Sequence, residues 1–119
     1  MMTTDDDRTL LELAAKAAGI EIVGLVDIMI VQPDHRTGGF IIRNDRGGDS
    51  CWNPLTDDGD ALRLAVTLRM VVDCVLGAEY VEYFLNGHIQ YINIDITDDP
   101  HAATRRAIVR AAAEIGKTL

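Results

Sequence analysis

Three arginines near the end of the chain form the pattern with the most potential for recognition chemistry. Arg105, Arg106 and Arg110 fall within about two turns of one predicted helix, in a protein with only 11 basic residues. A planar guanidinium group can direct paired N–H donors at two oxygens of a phosphate or carboxylate. The cluster predicts either a site for a small anionic ligand, such as a nucleotide, or pairing with the protein's own acids, for example Arg110 with Glu114.

A glycine pair and the single tryptophan are further candidates for binding. Gly47 and Gly48 could offer backbone amides to a phosphate, although they follow neither the phosphate-loop nor the dinucleotide-binding pattern. Trp52 precedes a predicted helix, where it can pack against that helix or line a pocket. A small domain has little room for a deep pocket, so we expect a ligand site between protomers. Its predicted residues are Arg105, Arg106, Arg110, Gly47, Gly48 and Trp52.

Residue types used in catalysis and metal binding are present, but they lack the spacing that such chemistry requires. The candidate metal ligands follow none of the CxxC, HxxxH or HExxH patterns: His35, His88, His101, Cys51 and Cys74. The acids cluster at predicted helix starts, where capping explains them. We therefore expect no catalytic residue, no metal and no cofactor. The alternative is a small nucleotide or phosphoester hydrolase with Asp95 and Asp99 around a metal.

Length and composition predict a single cytoplasmic domain over residues 1–119. The chain is 48% hydrophobic, carries a net charge of −8 and contains two cysteines, which we expect to be reduced. The negative charge argues against direct nucleic-acid binding, although the acids could mimic nucleic acid on a basic protein surface. The acidic N-terminus and the short apolar runs predict neither a signal peptide nor a membrane segment.

Helix, turn and strand signals predict an α+β fold in the order α-β-β-α-β-β-β-α. The predicted elements are a helix from Thr3 or Thr4 to Gly19, strands at 20–31 and 40–44, a loop at 45–51, a helix capped by Thr56 or Asp57, a strand at 70–76, a hairpin of 80–85 and 88–96 around Asn86-Gly87, and a helix from Asp98 or Asp99 to Gly116. We expect one mostly antiparallel sheet with the helices on one face. The exposed edge of such a sheet also allows a homodimer.

Three stretches of the sequence carry a resemblance. Residues 52–68 read WNPLTDDGDALRLAVTL, residues 100–119 read PHAATRRAIVRAAAEIGKTL, and residues 10–20 read LLELAAKAAGI. Together they resemble a widespread group of short proteins of tailed phages and prophages with no established activity. The resemblance implies a phage accessory protein in the host cytoplasm that acts on a host process such as antiviral defence. The expected function is a non-enzymatic module that captures a small anionic ligand or binds a host protein.

Overall fold

A computed structural model describes residues 5–25, 39–43 and 46–119. Its elements are α1 (Asp5–Ala18), β1 (Ile22–Leu25), β2 (Phe40–Arg43), β3 (Asp49–Trp52), α2 (Asp58–Thr67), β4 (Val71–Asp73), β5 (Tyr80–Leu85), β6 (His88–Asn93) and α3 (Pro100–Gly116). Within these residues the strands form two three-stranded antiparallel sheets, ordered β1-β2-β3 and β4-β5-β6. The predicted α+β class with antiparallel strands is confirmed.

The structure differs from the prediction by one additional strand and by two sheets in place of one. The sequence predicted a loop at 45–51, but β3 occupies its second half and pairs with β2 from Phe40↔Trp52 to Arg43↔Asp49. The polar run of Asp49 and Ser50 lacks the apolar alternation of a typical strand. It becomes a strand because β2 offers it backbone partners, which a local pattern does not reveal.

Several predicted boundaries move or fall outside the described residues. The caps predicted at Thr3 and Thr4, the part of the first strand beyond β1 and the last residue of the second strand lie outside them. β4 and β6 are shorter than predicted, ending at Asp73 and Asn93. Both pair with β5, which begins at Tyr80, so the ladder that holds them ends where β5 begins.

The two later helices begin at caps that the sequence predicts. Asp57 caps α2, and its Oδ2 accepts the N–H of Asp60 at 2.8 Å. Asp99 caps α3, where its Oδ1 accepts the N–H of Ala102 at 3.0 Å and Pro100 occupies the first helical position.

α1 and α2 end in the same hydrogen-bonded motif with different residues at its left-handed position. Gly19 has φ of +70° after α1, and the N–H of Ile20 donates to a carbonyl of the last turn at 2.9 Å. Arg69 takes the equivalent position after α2 with φ of 56°, and Met70 donates the matching hydrogen bond at 2.9 Å. Because a Cβ disfavours this conformation, Gly19 adopts it without strain, whereas Arg69 is strained.

The predicted hairpin of β5 and β6 is confirmed. Asn86 and Gly87 have φ of 52° and +81°, the left-handed values that a type I′ turn needs at both central positions. Leu85 pairs with His88 beside the turn, and the register continues without a shift along both strands. The turn therefore fixes which residues of β6 share a face with those of β5.

The core lies where α1, α2 and the β4–β6 sheet pack around α3. Its fully buried residues include Leu11, Ala14, Ala15, Leu64, Val81, Val109, Ala111 and Ala112. α1 and α3 run in the same direction, because Asp7 contacts Arg106 near one end and Lys16 contacts Leu119 at the other. Alanines on both helices let the two backbones approach closely.

Gly116 ends α3, as predicted, but its main role is in packing. A Cβ built on Gly116 would overlap the carbonyl oxygen of Leu13 in α1 and lie 2.8 Å from its carbonyl carbon. The backbone of α1 thus occupies the space of a side chain at this position, and only glycine fits without movement.

Candidate functional site

The segment between β3 and α2 is a hydrogen-bonded structure that starts the helix. Asp60 is buried, and its carboxylate accepts the N–H of Asn53 at 2.9 Å and a guanidinium hydrogen bond from Arg63 at 2.6 Å. Asn53 is also buried, and its Oδ1 accepts the N–H of Leu55 at 3.0 Å while its carbonyl oxygen accepts the N–H of Asp57 at 2.9 Å. The acids of this motif therefore serve capping and turn formation, and they form no cluster of open carboxylates.

Trp52 is buried at the end of β3 and lines a cleft of about 730 Å³ between the first sheet and α2. The charged residues of its lining balance in sign: Glu21, Arg43, Asp60 and Arg63. Gly47 and Gly48 lie in the turn before β3 and are not among the described residues that line the cleft. The cleft thus contains one predicted site residue, Trp52, and its described lining residues carry no net charge, so they give an anion little attraction.

The three predicted arginines are directed to different parts of the structure. Arg105 donates to Asp58 of α2 at 2.6 Å, and Arg106 contacts both carboxylate oxygens of Asp7 in α1 at 2.9 and 3.3 Å. Arg110 is exposed and, among the described residues, forms no ion pair within 4.0 Å. Two of the three guanidinium groups therefore join α3 to its neighbouring helices, and none of the three lines the cleft beside Trp52.

The environment of Arg110 includes a buried tyrosine. Tyr83 of β5 lies in the core under α3, and burial raises the pKa of its hydroxyl above the ordinary value. The carboxylate of Glu114 adds to the rise of this pKa, while the positive charge of Arg110 opposes it. Glu114 itself pairs with Lys117 at 3.3 Å rather than with Arg110.

Residues of the hydrolase alternative occupy separate structural positions. Asp99 caps α3, whereas Asp95 is exposed in the segment after β6. Cys51 lies in β3 and Cys74 follows β4, no disulfide joins them, and His35 is outside the described residues. Within the described ranges, no three His, Cys, Asp or Glu side chains converge as a metal site would require.

The sheet face that points away from α3 is largely apolar, and we call it the outer face. Strand alternation places the buried Val81 and Tyr83 on the opposite side, toward α3. Phe84 and Tyr91 of the outer face are 59% and 61% exposed, and Phe84 stands directly opposite Ile89 on β6. The outer face consists of Val71, Asp73, Tyr80, Glu82, Phe84, Ile89, Tyr91 and Asn93.

Exposed apolar side chains concentrate around this face. Of the eleven large apolar residues exposed in the described part of the chain, seven lie between residues 71 and 96. Tyr80 and Tyr91 pack edge to face with ring centroids 5.4 Å apart, beside a cavity of about 360 Å³. At that end Leu76 and Ile96 are each 91% exposed. Such contiguous apolar and aromatic exposure is typical of an interaction surface.

The outer face was not predicted from the sequence, although the sequence contains a signal for it. In β5, Tyr80 and Phe84 alternate with Val81 and Tyr83, so apolar residues occupy both faces of the strand. One face of a sheet needs such residues for its core, and the second set requires either another covering layer or a partner. Among the described residues no element covers the second set.

Comparisons with protein-family models, curated proteins and solved structures gave no match. Within the described residues, no helix has the length and apolar character needed to cross a membrane.

Proposed function

We propose that the protein is a non-enzymatic binding module, carried by a phage or prophage, that binds a host protein through the outer face. The observation that carries this proposal is the exposure of Phe84, Ile89 and Tyr91 on one sheet face. Aromatic side chains on a regular sheet make effective anchors because they contribute a large contact area and lose few rotatable bonds on binding.

The charges at this face indicate the chemistry of the partner. Glu82 lies among the aromatic residues, Asp73 lies on the neighbouring strand, and Glu79 stands at the end beside the cavity. The chain as a whole has a net charge of −8, so the rest of the surface is also acidic on balance. A complementary partner surface offers an apolar depression flanked by lysine or arginine side chains, which would also speed association.

Capture of a small anionic ligand at the arginines is less well supported. Such a ligand would have to compete with Asp58 for Arg105 and with Asp7 for Arg106. Both carboxylates are already within hydrogen-bond distance, and releasing them would loosen the contacts of α3 with α2 and α1. A nucleic-acid mimic would rely on acids alone, whereas the outer face is dominated by apolar groups.

The test is an affinity purification of the tagged protein from bacterial cytosol, with mass spectrometry of co-purifying proteins and released small molecules. Phe84→Thr removes the aromatic anchor and keeps a residue suited to a strand. Leu62→Ala is the matched control, because Leu62 is a comparably exposed apolar residue on α2, at 63%. Circular dichroism of both variants checks that they are folded.

We expect one host protein that is recovered with wild type and with Leu62→Ala but is reduced about tenfold or more by Phe84→Thr. Its recovery should fall only moderately with added salt, since apolar contacts dominate. Equal recovery with both variants would refute the outer face as the binding surface. A released nucleotide without a stoichiometric protein would replace this proposal with ligand capture, and competition by DNA would favour nucleic-acid mimicry.

A further inference from the structure

Among the described residues, β6 is an edge strand of the second sheet. Within the described residues it pairs with β5 on one side, and no strand pairs with its other side. Natural proteins protect such edges with lysine, proline, inward charges or bulges. β6 reads HIQYIN, which contains none of these residues, and its register with β5 has no bulge. The other edge, β4, has only three residues and includes Asp73.

The backbone of β6 presents its hydrogen-bonding groups to this edge in a defined pattern. The N–H of Ile94 donates across to the carbonyl oxygen of Glu79 at 3.0 Å, which directs the backbone of Ile94 toward β5. Antiparallel strands alternate, so every second residue points its N–H and C=O the other way. Ile89, Tyr91 and Asn93 therefore direct their backbone groups outward, to the open side.

We propose that two copies of the chain pair through β6 in an antiparallel register centred on Tyr91. Tyr91 then faces the partner's Tyr91 across the two-fold axis, and Ile89 faces the partner's Asn93. Each of these outward-directed residues both donates and accepts, which gives about six hydrogen bonds between the copies. In a register centred on Gln90, the residues of the two strands would form only about four hydrogen bonds between the copies.

This register also keeps the faces of the two sheets aligned. Residues that lie opposite each other in antiparallel strands point to the same side, and Tyr91, Ile89 and Asn93 all belong to the outer face. The dimer therefore has one continuous six-stranded sheet, with both copies of α3 on one side and a doubled outer face on the other. Such an interface uses the same patch on both copies, as two-fold symmetry requires.

Charge explains why a second copy can approach at this strand. Each chain carries a net charge of −8, which opposes self-association in general. β6 contains no aspartate, glutamate, lysine or arginine, whereas β5 contains Glu82 and β4 contains Asp73. The strand that forms the open edge is thus also one without a formal charge to repel its copy.

The test measures the mass of the purified full chain by sedimentation equilibrium over a range of concentrations. We expect wild type to form a species of two 13.0 kDa chains. Tyr91→Lys and Tyr91→Glu each place like charges opposite one another at the two-fold axis and weaken the dimer about tenfold or more. Mixing the two variants in equal amounts places opposite charges there and restores dimerisation.

The control is Val71→Lys, which adds the same charge to the outer face on the far edge strand and leaves the dimer intact. Wild type that stays monomeric at the highest concentration reached would overturn the proposal. Folded Tyr91 variants whose mixture fails to recover the dimer would overturn it as well. The assay contains only the purified protein, so its outcome is separate from that of host-protein binding.

Discussion

The contact of Gly116 with α1 gives the sharpest prediction about stability. Gly116→Ala adds one methyl group at the crossing of α1 and α3, where the backbone of Leu13 already occupies that space. The new Cβ would lie 2.8 Å from the carbonyl carbon of Leu13. Ordinary carbon–carbon contacts are about 3.5–4.0 Å, so the helices must separate by roughly 1 Å or tilt.

The expected cost follows from two opposing effects. Overpacking of a core by one methyl group costs about 1–3 kcal/mol, and here the obstacle is backbone, which cannot rotate away. Replacing glycine by alanine in a helix contributes up to about 1 kcal/mol in the other direction, and less at the last residue of α3. We therefore expect a net loss of about 1–2 kcal/mol. For a domain of this size that corresponds to a decrease in Tm of about 4–8 °C.

Urea unfolding followed by circular dichroism measures the free energy of unfolding, with the m value as the check on two-state behaviour. Gly59→Ala is the matched control, because the atoms nearest its Cβ, at 3.3 Å, are side-chain ends of Arg63 and Asp57 rather than backbone, and a shift of a few tenths of an ångström accommodates the methyl group. The control should be neutral or more stable than wild type by about 0.5 kcal/mol. If Gly116→Ala were as stable as Gly59→Ala, the close approach of α1 and α3 would be refuted.

Three further predictions concern single residues. Arg69→Gly should stabilise the protein by about 0.5–1 kcal/mol, because glycine adopts the left-handed backbone after α2 without strain, and a lower urea midpoint would contradict this. Asp60→Ala should cost about 1–3 kcal/mol in urea unfolding, since the N–H of Asn53 loses its acceptor at a buried site. The third prediction concerns pH. The pKa of Tyr83 is raised above 10.0 in the folded state, so the folded state holds this proton more tightly than the unfolded chain. The stability that results is complete below about pH 10 and is lost as pH rises further. Tyr83→Phe should lose less of its free energy of unfolding between about pH 10 and 12 than wild type does. Some pH dependence should remain, because the pKa of Tyr80 is also raised. If the free energy of unfolding fell with pH as steeply in Tyr83→Phe as in wild type, the proposed contribution of Tyr83 would be refuted.

Elements with a local signal could be predicted from the sequence, whereas elements fixed by distant partners could not. The helix caps and the turn at Asn86-Gly87 depend on a few neighbouring residues. The structure confirms the turn and, of the two candidates predicted for each cap, selects Asp57 and Asp99. β3 depends on its pairing with β2 and was predicted as a loop. The division into two sheets likewise depends on which strands meet, which no local pattern specifies.

The candidate sites show the same limit for side chains. The sequence identified Arg105 and Arg106 as a cluster, but their partners Asp58 and Asp7 lie 47 and 99 positions away along the chain. Only the fold shows that these arginines already bind carboxylates. The outer face was missed for a related reason, because an apolar residue such as Phe84 suits a buried strand and an exposed one equally well.

The proposed resemblance to phage proteins rests on three stretches, and each of them has a structural role in the fold. The first and last stretches include most of α1 and α3, which form the main helix pair, and residues 52–68 form the capped start and the body of α2. Some of their polar residues cap or join helices: Asp57 caps α2, and Arg105 pairs with Asp58. The outer face and the open edge at β6 lie between residues 68 and 100, outside all three stretches. A helical frame with its own internal hydrogen bonds can hold such a sheet while the residues on the sheet change. The surfaces with which we expect this protein to contact others are therefore those that the resemblance does not cover.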